Sequence, residues 1–124
     1  MEKLNEISGK ILDSAIEVHR HTGPGLLESI YEKCLCKEFD LRKINYKRQV
    51  TIPIRYKDML IGENLRLDIL VEDDVLVELK AIENLDKIHT AQVVTYLKLT
   101  DKKLGLLINF NVPKLIDGFK RIIN

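Results

Sequence analysis

Two short apolar runs flank an acidic tripeptide near the middle of the chain, and this pattern constrains the fold more than any other feature. Residues 65–71 and 75–80 are rich in Leu, Ile and Val, and Glu72-Asp73-Asp74 separates them. Apolar runs of this length, joined by a three-residue loop, predict the two antiparallel strands of a β-hairpin. A slip by one residue would turn every side chain to the other face, so the loop length also sets which residues are neighbours.

The predicted hairpin register brings charged side chains together. The loop pairs Val71 with Val75, and counting away from it pairs Asp68 with Glu78. Directly opposed side chains point to the same face with Cβ atoms about 4.5 to 5.5 Å apart. Lys80 shares that face because strand side chains repeat every two residues. The sequence therefore predicts that Asp68, Glu78 and Lys80 converge.

Two carboxylates that face each other among Leu, Ile and Val side chains repel, and each raises the pKa of the other unless a cation lies nearby. Lys80 can neutralise one of the two charges. A hard divalent cation that prefers oxygen ligands and retains water is the natural occupant of a cleft with two carboxylates, so the pattern favours Mg²⁺ or Mn²⁺. The alternative is a surface hairpin on which the three charges are solvated.

The rest of the chain predicts helices and strands around this hairpin. Helices are expected over residues 3–20, 26–41 and 86–99, strands over 46–56, 65–71, 75–80 and 104–110, and a last helix after Pro113. The order ααβββαβα predicts an α/β fold with a mixed β-sheet flanked by helices. Pro53 cannot donate a hydrogen bond to a neighbouring strand, so its strand is expected at a sheet edge. A length of 124 residues predicts a single domain over residues 1–124.

The helix predicted over residues 86–99 carries a polar stripe. His89, Gln92 and Tyr96 are separated by three and four residues and so share one face. Neutral hydrogen-bonding groups on that face could orient a phosphate, a water molecule or Lys80. The alternative for such a Gln-x-x-x-Tyr pair is an ordinary solvent-facing helix surface.

The arrangement of these residues resembles the motif of the PD-(D/E)xK nuclease superfamily: Asp68, then Glu78-Leu79-Lys80, then Gln92 and Tyr96. The segment Gly25-Leu26-Leu27-Glu28-Ser29-Ile30-Tyr31 is similar to the pattern that names one branch, the GxxExxY proteins. One position departs from the motif, because Leu67 precedes the Asp where the motif has Pro. This variation leaves the acidic residue itself in place.

The resemblance implies a restriction-endonuclease-like core and a metal-dependent nuclease. Asp68 and Glu78 would bind Mg²⁺ or Mn²⁺, and Glu28 would be an additional acidic residue that contacts the metal directly or through water. Lys80 would position or activate the attacking water. The supporting and substrate-positioning residues would be Gln92, Tyr96, His89 and Tyr31.

Charge is unevenly distributed although the totals, 20 Lys and Arg against 19 Asp and Glu, nearly cancel. Residues 41–57 hold six basic and no acidic residues, whereas residues 58–83 hold eight acidic and two basic residues. Positive segments beside an acidic metal site are what a phosphate-backbone binder needs. Nucleic acid is therefore the expected partner, with contacts from Lys47, Arg48, Arg55 and Lys57, and the nuclease resemblance favours DNA. The alternative is a strand edge kept charged against aggregation.

Other cofactors and a membrane are not indicated. Cys34-x-Cys36 and His19-x-His21 lack the spacing and the further ligands that zinc or an iron–sulfur cluster requires. The sequence shows no signal-peptide pattern and no apolar run of membrane-spanning length, so a cytoplasmic protein is expected.

The predicted function is metal-dependent hydrolysis of phosphodiester bonds in nucleic acid. The alternative is a nucleic-acid-binding or regulatory partner protein that keeps the nuclease fold without independent catalysis. Two-fold dimers are common among oligomers, so a homodimer is also considered.

Overall fold

The computed structural model describes the backbone of residues 1–124 and the side chains of all of them except Glu63 and Asn64. Two helices come first, α1 (Glu2–Thr22) and α2 (Glu28–Leu41). Three strands follow: β1 (Tyr46–Tyr56), β2 (Met59–Val71) and β3 (Val75–Lys80). Helix α3 (Lys87–Thr100) precedes β4 (Leu104–Asn109), and a short 3₁₀ helix (Leu115–Gly118) precedes β5 (Phe119–Ile123).

The strands form one sheet in the order β1-β2-β3-β4-β5, so β1 lies at an edge, as Pro53 predicts. β3 and β4 are parallel, and the other neighbouring strands are antiparallel. A parallel pair needs a crossover connection, which α3 supplies. The predicted α/β fold, with a mixed sheet flanked by helices, is confirmed and is consistent with a restriction-endonuclease-like core.

Helices cover both faces of the central strands. On one face, Val77 of β3 belongs to a core with Leu35 of α2 and residues of α1. On the other face, Leu76 packs in a second core with Val93 and Leu97 of α3. β4 is buried along its whole length. Burial on both faces explains why that strand is continuously apolar rather than alternating.

The end of the chain corrects the last predicted element, a helix after Pro113. Only the short 3₁₀ helix forms there, and β5 then pairs antiparallel with β4. Gly118 lies at the change from the 3₁₀ helix to β5, where a Cβ atom would clash with the backbone oxygen of Asn109. β5 pairs along the outer edge of β4, and its Ile122 joins the second core. Periodicity in so short a segment does not distinguish this strand from a helix.

The strand predicted over residues 65–71 also begins earlier, at Met59. The turn between β1 and β2 lies at Lys57 and Asp58, whose φ angles are 49° and 66°. Two consecutive positive φ angles are typical of a two-residue hairpin turn. Within the described part of the chain, no helix is long and apolar enough to cross a membrane.

Candidate active site

The candidate site lies where the regular pairing of β2 with β3 ends. The paired positions are those the loop length predicts: Val71 with Val75, Leu70 with Leu76 and Ile69 with Val77. At the next position, side chains continue the connection. Oδ2 of Asp68 accepts a hydrogen bond from the N–H of Leu79 at 2.8 Å, and Oε1 of Glu78 accepts one from the N–H of Asp68 at 3.1 Å. The structure therefore brings the two carboxylates together.

Both carboxyl groups are withdrawn from water. Glu78 is 6% exposed and Asp68 is half-buried. Burial, followed by the charge of Asp68, raises the pKa of Glu78 to about 8. Burial also raises the pKa of Asp68, although the hydrogen bond from Leu79 opposes that shift. The alternative of a solvated surface hairpin is wrong for this pair, because one of its carboxylates lies in the protein interior.

The charges of Glu28 and Lys80 interact with those of Asp68 and Glu78. Glu28 is the exposed first residue of α2, and partial burial, followed by the charge of Asp68, raises its pKa. The positive charge of Lys80 lowers the pKa of Glu28, of Asp68 and of Glu78, in each case against the larger effect of burial. The three carboxyl groups therefore share the electrostatic influence of Lys80. Residues from α2, β2 and β3 thus form a single charged cluster.

An open cavity of about 500 Å³ begins at Lys80 and extends along α3. His89 and Gln92 line it together with Lys80. The N–H of Asp86 donates to Nδ1 of His89 at 2.9 Å, which fixes the imidazole at the start of α3. In its neutral form this ring carries its proton on Nε2. The predicted polar stripe therefore borders the charged cluster.

Tyr96 lies beneath the same cluster and is 8% exposed. Burial raises its pKa, and the negative charges of Glu78 and Asp68 raise it further. The Tyr96 hydroxyl therefore lies within electrostatic range of both carboxylates. Gln92 and Tyr96 therefore occupy the same side of the site, one turn apart on α3.

Tyr31 lies away from the cluster, in the core. Its side chain is 0% exposed and stacks on Phe110 with ring centroids 4.5 Å apart. Its hydroxyl donates to the backbone oxygen of Gly23 at 2.6 Å and accepts from the N–H of Leu26 at 3.1 Å. A fully buried side chain does not reach a substrate, so the predicted substrate-positioning role is corrected: Tyr31 secures the turn that precedes Glu28.

The four basic residues predicted to contact nucleic acid have different surroundings. Lys47 pairs with Asp73 at 3.1 Å, and Arg48 pairs with Glu32 at 2.8 Å. Arg55 and Lys57 are exposed near the turn between β1 and β2, where Lys57 lies 5.4 Å from the ring centroid of Tyr56. The guanidinium of Arg48 is engaged with a buried carboxylate while its side chain stays 44% exposed, so the predicted contact with nucleic acid stays a prediction.

The residue patterns missed two buried polar side chains near the site. Glu32 is 5% exposed and lies one turn after Glu28 on α2. Asn109 is 2% exposed and pairs with Lys80 across β3 and β4. The spacing of Glu28 and Glu32, four residues apart on one helix face, is the signal that could have identified the first. The second could not be recognised without the strand pairing.

Asn109 holds the chain that leaves β3 immediately after Lys80. Its Oδ1 accepts from the N–H of Ile82 at 3.1 Å, and its Nδ2 donates to the oxygen of Ile82 at 2.9 Å. The N–H of Phe110 donates to the oxygen of Lys80 at 2.9 Å. This side chain replaces a neighbouring strand for Ile82 and so keeps Lys80 in place.

The donor atoms suit a hard divalent cation. Asp68 and Glu78 present carboxylate oxygens, and the pKa of each is raised because burial is only partly compensated by backbone hydrogen bonds and by Lys80. Oxygen-rich, negatively charged sites are those that Mg²⁺ and Mn²⁺ occupy in proteins. Across the side chains that the structure describes, no group of three or more His, Cys, Asp and Glu is arranged to hold a metal ion by itself.

The mixed sheet, with two adjacent acids and a lysine at the end of its hairpin, defines a nuclease-type α/β domain. A family model described as PD-(D/E)XK nuclease superfamily matches residues 5–122. The chain therefore belongs to the PD-(D/E)XK nuclease superfamily. No significant match was found among curated proteins, and none was found among solved structures. Assignment to the GxxExxY branch stays a prediction from residues 25–31.

Proposed function

We propose that the protein is a nuclease that hydrolyses phosphodiester bonds of DNA with Mg²⁺ or Mn²⁺ at Asp68 and Glu78. The observation that carries the proposal is the arrangement of two acids and a lysine. Asp68 and Glu78 are linked by hydrogen bonds and Glu78 is buried, and Lys80 beside them borders an open cavity. Membership of a nuclease superfamily supports nucleic acid as the substrate. DNA is the substrate we propose, and RNA is an outcome of the test.

Asp68 and Glu78 would hold the ion, and Glu28 would add a third carboxylate directly or through water. Two firmly placed protein carboxylates suit Mg²⁺, which usually keeps several water ligands and binds through one or two carboxylates and substrate phosphates. When bound, such an ion would stabilise charge on a phosphoryl oxygen and lower the pKa of a coordinated water.

The remaining side chains would bind and orient the substrate. Lys80 has an ammonium group that can donate a proton near the scissile phosphate, whereas a guanidinium holds its protons too tightly. His89 and Gln92 line the cavity and can donate hydrogen bonds to phosphate oxygens. Tyr96 would brace the two acids from α3. The side chains proposed for these roles all border the charged cluster.

Arg55 and Lys57 form the surface that we propose for the DNA backbone. Both are exposed on the hairpin of β1 and β2, and the same hairpin exposes Tyr56 and Met59, which are 63% and 66% exposed. A two-stranded ribbon can enter the major groove of DNA. Positive side chains with aromatic neighbours also suit single strands, on which bases stack.

Cleavage assays test this function directly. Single-stranded DNA, double-stranded DNA and RNA are incubated with the protein in Mg²⁺, in Mn²⁺ and in chelator, alongside Asp68→Asn. The matched control is Asp73→Asn, an exposed carboxylate in the loop of the same hairpin. The proposal requires metal-dependent cleavage that Asp68→Asn abolishes and Asp73→Asn retains. Absence of cleavage, or cleavage that both variants retain, would overturn it.

Two outcomes would favour other conclusions. Cleavage confined to RNA would keep the chemistry and change the substrate. Salt-dependent binding without cleavage or metal dependence would favour a nucleic-acid-binding partner protein.

We further propose a cytoplasmic setting, because the two cysteines are free and burial raises the pKa of the Cys36 thiol to about 12, which keeps it unreactive.

A further inference from the structure

Glu32 is a buried carboxylate that the predicted chemistry does not use. Its Oε2 accepts hydrogen bonds from Arg48 Nε at 3.0 Å and Nη2 at 2.8 Å, and its Oε1 accepts one from Gln49 Nε2 at 2.9 Å. The donors lie on β1 and the acceptor on α2. We call these three residues the Glu32 clasp. The pair is only half-buried, because Glu32 is buried whereas the Arg48 side chain is 44% exposed. Such a pair is weak support for stability, because the desolvation of the carboxylate and the contact of the guanidinium with water offset much of its attraction. The position of the clasp therefore needs another explanation.

The clasp borders the candidate site on two sides. On α2, Glu32 lies four residues after Glu28 and so on the same helix face. On β1, the register pairs Arg48 with Ile69 and Val50 with Leu67, which sets Gln49 opposite Asp68. The clasp thus joins the helical turn that follows Glu28 to the strand position beside Asp68.

Gln49 has an unusual backbone for the interior of a strand. Its φ is 49°, in the left-handed region that residues other than glycine rarely adopt. Strained backbone of this kind persists only when its surroundings enforce it. Two hydrogen bonds from the Gln49 amide to Glu32, at 2.9 and 3.2 Å, accompany it here. The strained backbone of Gln49 and the ion pair of Glu32 with Arg48 therefore occur together, next to the acidic pair.

We propose that the Glu32 clasp is a positioning unit for the acidic site: by tying β1 to α2 it fixes the helical turn that carries Glu28 relative to the strand position beside Asp68. The clasp touches neither the ion nor the substrate. Groups that orient metal ligands from behind change metal affinity by about 10- to 100-fold when removed. This inference rests on the proposed function for its metal, but the geometry it predicts is independent of catalysis.

The test replaces the charged pair without leaving a charge buried. Glu32→Leu combined with Arg48→Met substitutes apolar side chains of similar length, so that the buried carboxylate and its partner are removed together and neither is left unpaired. The matched control is Glu38→Leu with Arg42→Met, which removes another Glu–Arg pair from the C-terminal half of the same helix. Gln49→Gly forms a second variant, since glycine accepts the positive φ without strain but lacks the amide.

Two measurements are made on each variant. Calorimetry with Mn²⁺ is expected to show affinity about tenfold or more below wild type for the clasp variants, with melting temperatures close to wild type and an unchanged control. Hydrogen exchange in chelator is expected to accelerate in the first turn of α2 and at the Leu79 amide, which donates to Asp68.

Exchange in chelator keeps this inference separate from the nuclease proposal. If wild type neither binds Mn²⁺ nor cleaves, the proposed function fails, and exchange alone decides whether the clasp positions the site. Unchanged exchange at these amides in both clasp variants would overturn the inference. So would Mn²⁺ affinity equal to that of wild type, because a merely structural pair predicts that result.

Discussion

The carboxylates of Asp68 and Glu78 each accept a hydrogen bond from the backbone of the other residue's strand. The N–H of Asp68 donates to Glu78, and the N–H of Leu79, the residue after Glu78, donates to the carboxylate of Asp68. These contacts follow the last regular pair of the β2–β3 ladder. The two acids therefore serve as hydrogen-bond acceptors for the sheet and as candidate ligands. Their positions depend on strand pairing, which holds them more firmly than a loop would.

Stability without metal should depend on pH through Glu78. Its pKa rises from 4.5 to about 8 on folding, so the native state binds the proton more tightly than the unfolded state. Its contribution to the free energy of unfolding is then full below about pH 4.5 and is lost as the pH rises towards 8. The free energy of unfolding of Glu78→Gln should rise relative to that of wild type by a few kcal/mol across this pH range, because each pKa unit corresponds to about 1.4 kcal/mol. Urea unfolding in chelator measures it, and a pH-independent difference would contradict it.

Divalent metal should stabilise the folded protein. A ligand at a hundredfold excess over its Kd raises the free energy of unfolding by about 2.7 kcal/mol. We expect Mn²⁺ to raise the melting temperature of wild type and of Asp73→Asn. Asp68→Asn should lose this increase. Equal increases in all three proteins would show that Mn²⁺ binds elsewhere.

Lys80→Arg should abolish most activity although it keeps the positive charge. A guanidinium is larger and planar and does not release its proton near neutral pH. Removal of a group that transfers protons typically slows a reaction by about 10²- to 10⁴-fold. Single-turnover cleavage in Mn²⁺ measures the effect, with Lys98→Arg on the exposed side of α3 as the control. Activity in Lys80→Arg within about threefold of wild type would contradict a proton-transfer role.

Asn109→Ala should destabilise the protein and slow cleavage together. It leaves the N–H of Ile82 without its partner, at about 1–3 kcal/mol for an unsatisfied group, and leaves the oxygen of Ile82 with only the bond from Asn111. Asn111→Ala is the control, because Asn111 is half-buried and makes a longer bond, 3.3 Å, to the oxygen of Ile82. Chemical unfolding should show the larger loss for Asn109→Ala. Equal losses would mean that Asn109 does not hold the chain after Lys80.

Arg55 and Lys57 should contribute to the salt dependence of DNA binding. Each phosphate contact contributes about 0.9 to the slope of log affinity against log salt for duplex DNA. Arg55→Gln with Lys57→Gln should therefore lower the slope by about 1.8. Lys33→Gln with Lys37→Gln, on the exposed face of α2, should leave it unchanged. Fluorescence anisotropy in Ca²⁺ or chelator measures both, and identical slopes would exclude the hairpin as the DNA surface.

The hairpin was predictable from the sequence because two local features determine it. Strand periodicity assigned faces, and the three-residue loop set the pairing of Val71 with Val75, from which the proximity of Asp68 and Glu78 followed. The residues of α3 were predictable for a similar reason, since helical spacing places His89, Gln92 and Tyr96 on one side. Local rules sufficed wherever a single element, or two elements joined by a short loop, defined the geometry.

The features that were missed depend on contacts between distant segments. Glu32 meets Arg48 only because α2 packs beside β1, and Asn109 meets Ile82 only because β4 runs parallel to β3. The last strand was mistaken for a helix because its stabilising partner is β4. Arg48 looked like a free basic residue in sequence, whereas the fold places a buried carboxylate against it.

The most direct test of the metal site is a crystal structure of the protein with Mn²⁺, using anomalous scattering to locate the ion. The proposed metal site predicts an anomalous peak for Mn²⁺ between Asp68 and Glu78, within about 2.0 to 2.6 Å of carboxylate oxygens from both residues. A peak bound elsewhere, or none at this pair in crystals at saturating Mn²⁺, would contradict it.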